Sequence, residues 1–183
     1  YIQFAATNQF YMICAESGEN YKDIRNIMMH GYGRMAGFPS SGFTAGPCLL
    51  KDTMQLANIS SNAHYLSQAA MHINEGMPSF LVRMLKNTQS LVGTKVGILG
   101  MAFKADIDDT RDSLSFKLKK LLAFEGAEVL CTDSFASYPD LFSLDHVLSN
   151  SEIIIVGAPH SIYKEIKIPE GIKVLDIWDI LRT

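Results

Sequence analysis

The segment Gly42-Phe43-Thr44-Ala45-Gly46-Pro47-Cys48-Leu49-Leu50-Lys51-Asp52 sets a cysteine between a glycine-rich loop and the start of an expected helix. The partial positive charge at a helix N-terminus favours thiolate over thiol, Lys51 adds a cation, and Asp52 could orient a water or an amine. Together these describe an activated nucleophile. A plainer reading stands beside it, a buried loop cysteine, since free cysteine is among the most buried residue types. Cys14 and Cys131 fall within apolar elements and are expected in the core.

A second candidate follows Gly100. The loop from Met101 to Arg111 carries Lys104, two acidic pairs and Arg111, at the place after a first strand where α/β sheets bind phosphates. The full G-x-G-x-x-G spacing is absent, with only Gly97 and Gly100 remaining, so ordinary dinucleotide binding there is not expected. The two glycines also fit a simple tight turn. His30, His64, His72, His146 and His160 share no motif and receive no role, and Asn74 with Glu75 fits either a dimer contact or a solvated turn.

The elements that position these residues follow from periodicity. Apolar spacing predicts a helix over Ile2 to Glu16, stopped by Ser17-Gly18-Glu19-Asn20, and a second over Tyr21 to His30. Residues 31–47 are too rich in glycine, proline and serine for regular structure. From Asp52 to about Leu91 the pattern predicts one long helix, bent or interrupted at Gly76-Met77-Pro78. Its run of Met54, Leu56, Ala57, Ile59, Ala63, Leu66, Ala69, Ala70 and Ile73 is too apolar for a lone surface helix and points to dimerisation.

At Gly93-Thr94 the period changes. Strands are expected at 95–100, 127–132, 152–157 and 173–177, with helices at 113–125 and 144–150 between them. That alternation predicts a doubly wound parallel sheet of the Rossmann type, so the class is α/β with two domains: helical over 1–92 and Rossmann-like over 93–183.

Composition narrows the class. With 48% apolar and 19% charged residues, the 183-residue chain can build a sizeable core and does not read as disordered. A net charge of -3 gives no broad basic field for nucleic acid, and Lys117, Lys119 and Lys120 are expected on a solvated helix face. Three cysteines without C-x-x-C spacing indicate neither a disulfide framework nor a zinc site. No apolar run reaches the roughly 18–20 residues of a membrane span, and no signal peptide is evident, so a cytoplasmic protein is expected. Tyr1 opens directly into the apolar pattern, which suggests a chain cut inside a helix.

Gly46-Pro47-Cys48-Leu49-Leu50-Lys51-Asp52 resembles the cysteine motif of the UDP-glucose/GDP-mannose dehydrogenase family, usually G-G-x-C-[LF]-P-K-D. Residues 95–113, KVGILGMAFKADIDDTRDS, are similar to the signature that opens that family's C-terminal UDP-binding domain. Tyr1 to Glu16 is similar to the end of its first central helix and Ile73 to Pro78 to its dimer helix. The resemblance implies two NAD-dependent oxidations of a sugar 6-hydroxyl to a carboxylate. It implies that Cys48 attacks the intermediate aldehyde, giving a thiohemiacetal and then a thioester, and that Asp52 positions the hydrolytic water. Lys51 and Arg111 would face NAD, which an N-terminal domain absent from this chain would mainly hold. Phe103 and Lys104 would touch the UDP-sugar, Gly42 and Phe43 would line the sugar, and Arg34 would reach the partner's substrate in a homodimer.

The chain departs from the family at Leu50 and Leu114, which replace prolines, and at Thr44-Ala45, which lengthens the loop by one residue. Asp176-Ile177-Trp178 stands where D-G-R is usual, so Trp178 is expected to pack in the arginine's stead. The family's catalytic lysine, asparagine and glutamate fall upstream of Tyr1. Three functions remain: a nucleotide-sugar 6-dehydrogenase fragment inactive alone, a non-catalytic UDP-binding or dimerisation module, and an NAD enzyme of the 6-phosphogluconate or hydroxyacid type. Cys48 with Lys51 and Asp52 disfavours the third.

Overall fold

The computed structural model describes residues 1–59 and 64–181. Helix α1 (Ile2–Ser17) stops at Gly18, whose left-handed conformation lets its N–H reach back to the carbonyl of Ala15. Asn20 then accepts the Lys22 N–H at 2.8 Å and starts α2 (Tyr21–Met29). Four residues thus end one helix and cap the next.

Helices α3 (Leu49–Ile59) and α4 (Tyr65–Lys86) replace the single long helix expected from the pattern. The interruption is at His64, which is not helical, and α4 continues through Pro78. A proline inside a helix costs about 3 kcal/mol. Around it Met77, Phe80, Leu81 and Leu85 are buried between α1 and a later helix, Leu114–Phe124, and each such side chain contributes roughly 1.5–3 kcal/mol. Packing outweighs the lost hydrogen bond. Of the apolar run expected on this element, Ala63 lies outside the described residues, Ala57 and Ala70 are buried, and Met54, Leu56, Ile59 and Leu66 are exposed.

Past Gly93 come β1 (Lys95–Leu99), α5 (Leu114–Phe124), β2 (Glu128–Thr132), α6 (Leu144–Asn150), β3 (Ile153–Val156) and β4 (Lys173–Leu175). All pairings are parallel in the order β2-β1-β3-β4, with Ile98 opposite both Cys131 and Ile155. Alternation along the strands feeds two cores. Val96, Ile98, Cys131, Ile153 and Ile155 pack against α4 and α5, while Leu99, Leu130, Ile154 and Val156 pack with Val147 of α6 and with Tyr163. Gly97 belongs to the second face: a Cβ there would come 2.7 Å from Val147 and 2.6 Å from Ile154. Its role is to admit α6, and Gly100, at φ 92 with Ala158 pressed against it, admits the end of β3.

Two buried polar groups hold the loops at the carboxyl end of this sheet. Asn8, on α1 and fully buried, donates to the Gly42 carbonyl at 3.0 Å and accepts the Gly42 N–H at 2.9 Å. It also donates to Asn74 on α4 at 3.0 Å. Asn74 is fully buried, which corrects both expectations for it, and Glu75 receives Lys117 from α5. The second group is Asp133, one residue past β2. Its carboxylate accepts the N–H groups of Met101 (2.6 Å), Ala102 (2.9 Å), Phe135 (2.8 Å) and Ala136 (2.8 Å) and faces His160 Nε2 at 3.1 Å. Burial alone would raise this carboxyl's pKa, but the hydrogen bonds from His160, Ala136, Phe135 and Ala102 outweigh it and hold it well below the usual range.

Replacing Asn8 by Ala leaves both Gly42 backbone groups buried and unpaired, so denaturant unfolding is expected to show a loss of about 2–4 kcal/mol. Asp133 is ionised more readily in the folded than in the unfolded chain. Its stabilisation is therefore complete above about pH 4 and is lost as pH falls through the folded value. Asp133→Asn should lower stability at neutral pH by about 2–3 kcal/mol and flatten the acid limb; an unchanged slope below pH 4 would remove Asp133 from the account.

Candidate functional site

The loop between α2 and α3 has little regular structure beyond a short turn at Gly33–Met35, so a few contacts must place it. Asn8 grips Gly42, and Ser41 Oγ donates to the Ile177 carbonyl at 2.7 Å. A Cβ at position 42 would overlap the Trp178 ring, and at φ 148 only glycine is comfortable there. Trp178 stands on a turn built by Asp176, whose carboxylate accepts the N–H groups of Trp178, Asp179, Ile180 and Leu181 at 2.7–3.0 Å. Burial still pushes the Asp176 pKa up, the four hydrogen bonds offsetting only part of it. The indole N–H reaches the Gly157 carbonyl at 3.3 Å, so Trp178 ties the cysteine loop to the sheet.

Cys48 ends this loop. Its carbonyl accepts the Asp52 N–H at 2.8 Å, which makes it the residue from which α3 starts. Among the three cysteines it is the exposed one, whereas Cys14 and Cys131 are buried and burial drives the Cys131 thiol up to about 11. The plainer reading, a buried loop cysteine, is thereby overturned: the residue that caps a helix projects from it. Lys51 and Asp52 are exposed on the first turn. A hollow of about 390 Å³ beside them is lined by Pro47, Leu50, Lys51, Met54 and, from the other loop, Asp112.

The loop after β1 meets this one from above. Phe103 lies against Gly46, where a Cβ would come within 2.8 Å of its ring. Lys104 is exposed next to it. Arg111 is exposed and bonded to Asp109 through Nε at 3.0 Å and Nη2 at 2.6 Å. Its pKa is raised by Asp109 first, with Cys48 and Asp112 adding smaller contributions. Cys48, Lys51, Asp52, Phe103 and Arg111 are thus gathered at one place. Gly42 and Phe43 are not open to it, since Gly42 is covered by Trp178 and the Phe43 ring is in the main core. Arg34 is exposed on its own turn.

The same geometry tests a dinucleotide on this sheet. In a phosphate-binding loop after β1 the backbone N–H groups point at the ligand, and the acid after β2 faces a ribose. Here Met101 and Ala102 give their N–H groups to Asp133 itself. The residues do not fit a dinucleotide in that position, in keeping with the missing glycines.

Sequence reasoning passed over Asn8, Asp133 and His160. His160 is fully buried, and its placement just past β3, at the carboxyl end of a sheet strand, was the signal that could have found it. No helix among the described residues is long and apolar enough to cross a membrane.

Comparison with known proteins agrees with this geometry. Residues 97–183 match the family model described as UDP-glucose/GDP-mannose dehydrogenase family, UDP binding domain. The UDP-N-acetyl-D-mannosamine dehydrogenase of Methanococcus maripaludis is 30% identical over 91% of this chain and 40% of its own length. A UDP-glucose 6-dehydrogenase of Haloferax volcanii is 32% identical over 61% of this chain and 29% of its own. The chain thus spans about two fifths or less of these relatives. The structure of the UDP-D-ManNAc dehydrogenase of Pyrococcus horikoshii has the same fold, with a TM-score of 0.85 at 23% identity over 99% of this chain and 46% of that one. An NDP-N-acetyl-D-galactosaminuronic acid dehydrogenase structure from Methanosarcina mazei gives 0.76 at 29% identity over 91% of this chain and 40% of that one. With the cysteine loop and the UDP binding domain side by side, the chain belongs to the UDP-glucose/GDP-mannose dehydrogenase family.

Proposed function

We propose that these residues form the cysteine-bearing, sugar-nucleotide-binding part of a UDP-sugar 6-dehydrogenase, with residues 1–92 as the helical domain and 93–183 as the UDP-binding domain. The observation that carries this is the contact of Phe103 with Gly46, which sets an exposed thiol at a helix start beside the loop of a UDP binding domain. Lys104 is assigned to the UDP phosphates and Phe103 to the sugar nucleotide. Gly42 and Phe43 act from behind, by shaping the loop that bounds the sugar. Arg34 is assigned to a partner's substrate.

Cys48 Sγ adds to the aldehyde carbon of the half-oxidised sugar, the thiol proton passing to the carbonyl oxygen, and the thiohemiacetal becomes a thioester on losing hydride from that carbon and its hydroxyl proton to water. NAD, when bound, takes up the hydrides. Asp52, one helical turn from the thiol, orients the water that opens the thioester and frees Cys48. Arg111 and Lys51, both exposed cations, are assigned to an anionic cofactor at the edge that carries the thiol. The misfit of a dinucleotide to the loop after β1 supports the reading that NAD is held mainly by a domain other than this sheet. The relatives named for UDP-N-acetylmannosamine and UDP-glucose make UDP-sugars the first substrates to test. Met54, Leu56, Ile59, Tyr65 and Leu66, all exposed, support a homodimer through α3 and the start of α4, and the setting is taken to be the cytoplasm.

Calorimetry is expected to show that the chain binds UDP and that Lys104→Ala weakens it about tenfold, roughly 1.4 kcal/mol, while Lys119→Ala does not. When the chain is joined to an NAD-binding domain, two NADH should form per UDP-sugar consumed, and Cys48→Ala should abolish or stall turnover. Full turnover in the Cys48 variant would eliminate the covalent route, and UDP binding with no NADH from any sugar would favour a binding module.

A further inference from the structure

Among the described residues, His160 is the histidine held on both ring nitrogens. Nδ1 accepts the Asp106 N–H at 2.8 Å, so that nitrogen carries a lone pair and the ring's proton sits on Nε2, which donates to Asp133 at 3.1 Å. The imidazole is fully buried between the rings of Phe135, at 4.7 Å, and Tyr163, at 5.4 Å, and is not free to turn. Ser161 completes the clamp, its N–H and Oγ donating to Asp106 Oδ1 at 2.8 and 3.1 Å.

What this clamp holds is the backbone on either side of Lys104. Asp106 has φ 55, a left-handed conformation that a non-glycine residue keeps only when its surroundings impose it. Before Lys104, the Met101 and Ala102 N–H groups end on Asp133 Oδ2, the oxygen that also faces His160, and the Phe103 N–H ends on the Asp109 carbonyl at 3.1 Å. The Met101, Ala102 and Asp106 N–H groups around Lys104 therefore lead to Asp133 or His160, while Asp109 and Ser113 hold the Phe103 N–H and the Ala102 carbonyl.

We infer that His160 is a positioning residue for the sugar-nucleotide site, setting Phe103 and Lys104 against the cysteine loop by accepting the Asp106 N–H at Nδ1. The inference rests on the reading that this loop binds UDP. It assigns the effect to one nitrogen, so two amide substitutions separate it from general support of the fold. In His160→Asn the side-chain oxygen can take the place of Nδ1 and still accept the Asp106 N–H. In His160→Gln the longer amide can still donate to Asp133 but offers Asp106 nothing.

UDP affinity and the backbone amide resonances of Phe103, Lys104 and Asp106 would be measured for the chain and both variants. The expected result is that His160→Gln weakens UDP about tenfold and shifts those amides before UDP is added, while His160→Asn stays within about threefold of the parent. Equal losses in the two variants, or no loss in either, would overturn the inference. If both fail to fold, Ser161→Ala decides: it removes the hydroxyl from Asp106, and an unchanged UDP affinity with an unmoved Lys104 amide counts against the clamp. Failure of the unsubstituted chain to bind UDP would sink the reading of the site, and the amide shifts alone would then decide whether His160 sets the loop.

Discussion

The carboxamide of Asn8 holds both backbone groups of Gly42 in a space closed to water, while Thr7 and Arg25 hold the Phe38 and Pro39 carbonyls earlier in the cysteine loop. A loop rich in glycine loses much conformational entropy when it is ordered, so its few contacts must be strong and geometrically exact in direction. A paired donor and acceptor on a buried amide meets that need, because shifting the loop would strand two polar groups at once. From Gly42 onward the chain is constrained in turn by the Trp178 ring, by Phe103 against Gly46, and by the start of α3, so the position of the Cys48 thiol follows from an amide on α1.

Asp133 plays the corresponding part for the opposing loop. An anion belongs where the N–H groups after β1 converge, and in this sheet the protein supplies that anion itself. The consequence is that backbone donors that could hold a phosphate serve rigidity, and on the proposed reading recognition of an anionic ligand falls to exposed side chains such as Lys104. His160 joins Asp133 to Asp106 and so makes the two sides of that loop one body.

Much of this was legible in the sequence where the cause is local. Helix α6 at Leu144–Asn150 and the four parallel strands follow from periodicity and from capping residues such as Ser143, which accepts the His146 N–H. Cys48 at a helix start was readable because proline and glycine precede it and an apolar repeat follows. Gly76-Met77-Pro78 misled, since a proline's cost is local but the burial that offsets it comes from α1 and α5. Asn8, Asn74, Asp133 and His160 were hidden for the same reason. Apart from the Phe135 and Ala136 N–H groups that Asp133 accepts close by, their partners lie 27 to 73 residues away, out of reach of any local pattern.

The departures at the cysteine loop and at Trp178 are best understood together. An arginine at position 178 would need a partner for its charge, whereas an indole needs a flat apolar seat and one acceptor. Gly42 without a Cβ provides the seat and the Gly157 carbonyl the acceptor. The indole thus bounds one end of the stretch from Phe43 to Cys48, and the Phe103 ring against Gly46 bounds the other. Since α4 and α5 share one core with Phe43, Ile98 and Ile155, this rearranged loop and the sheet it touches are fixed relative to each other.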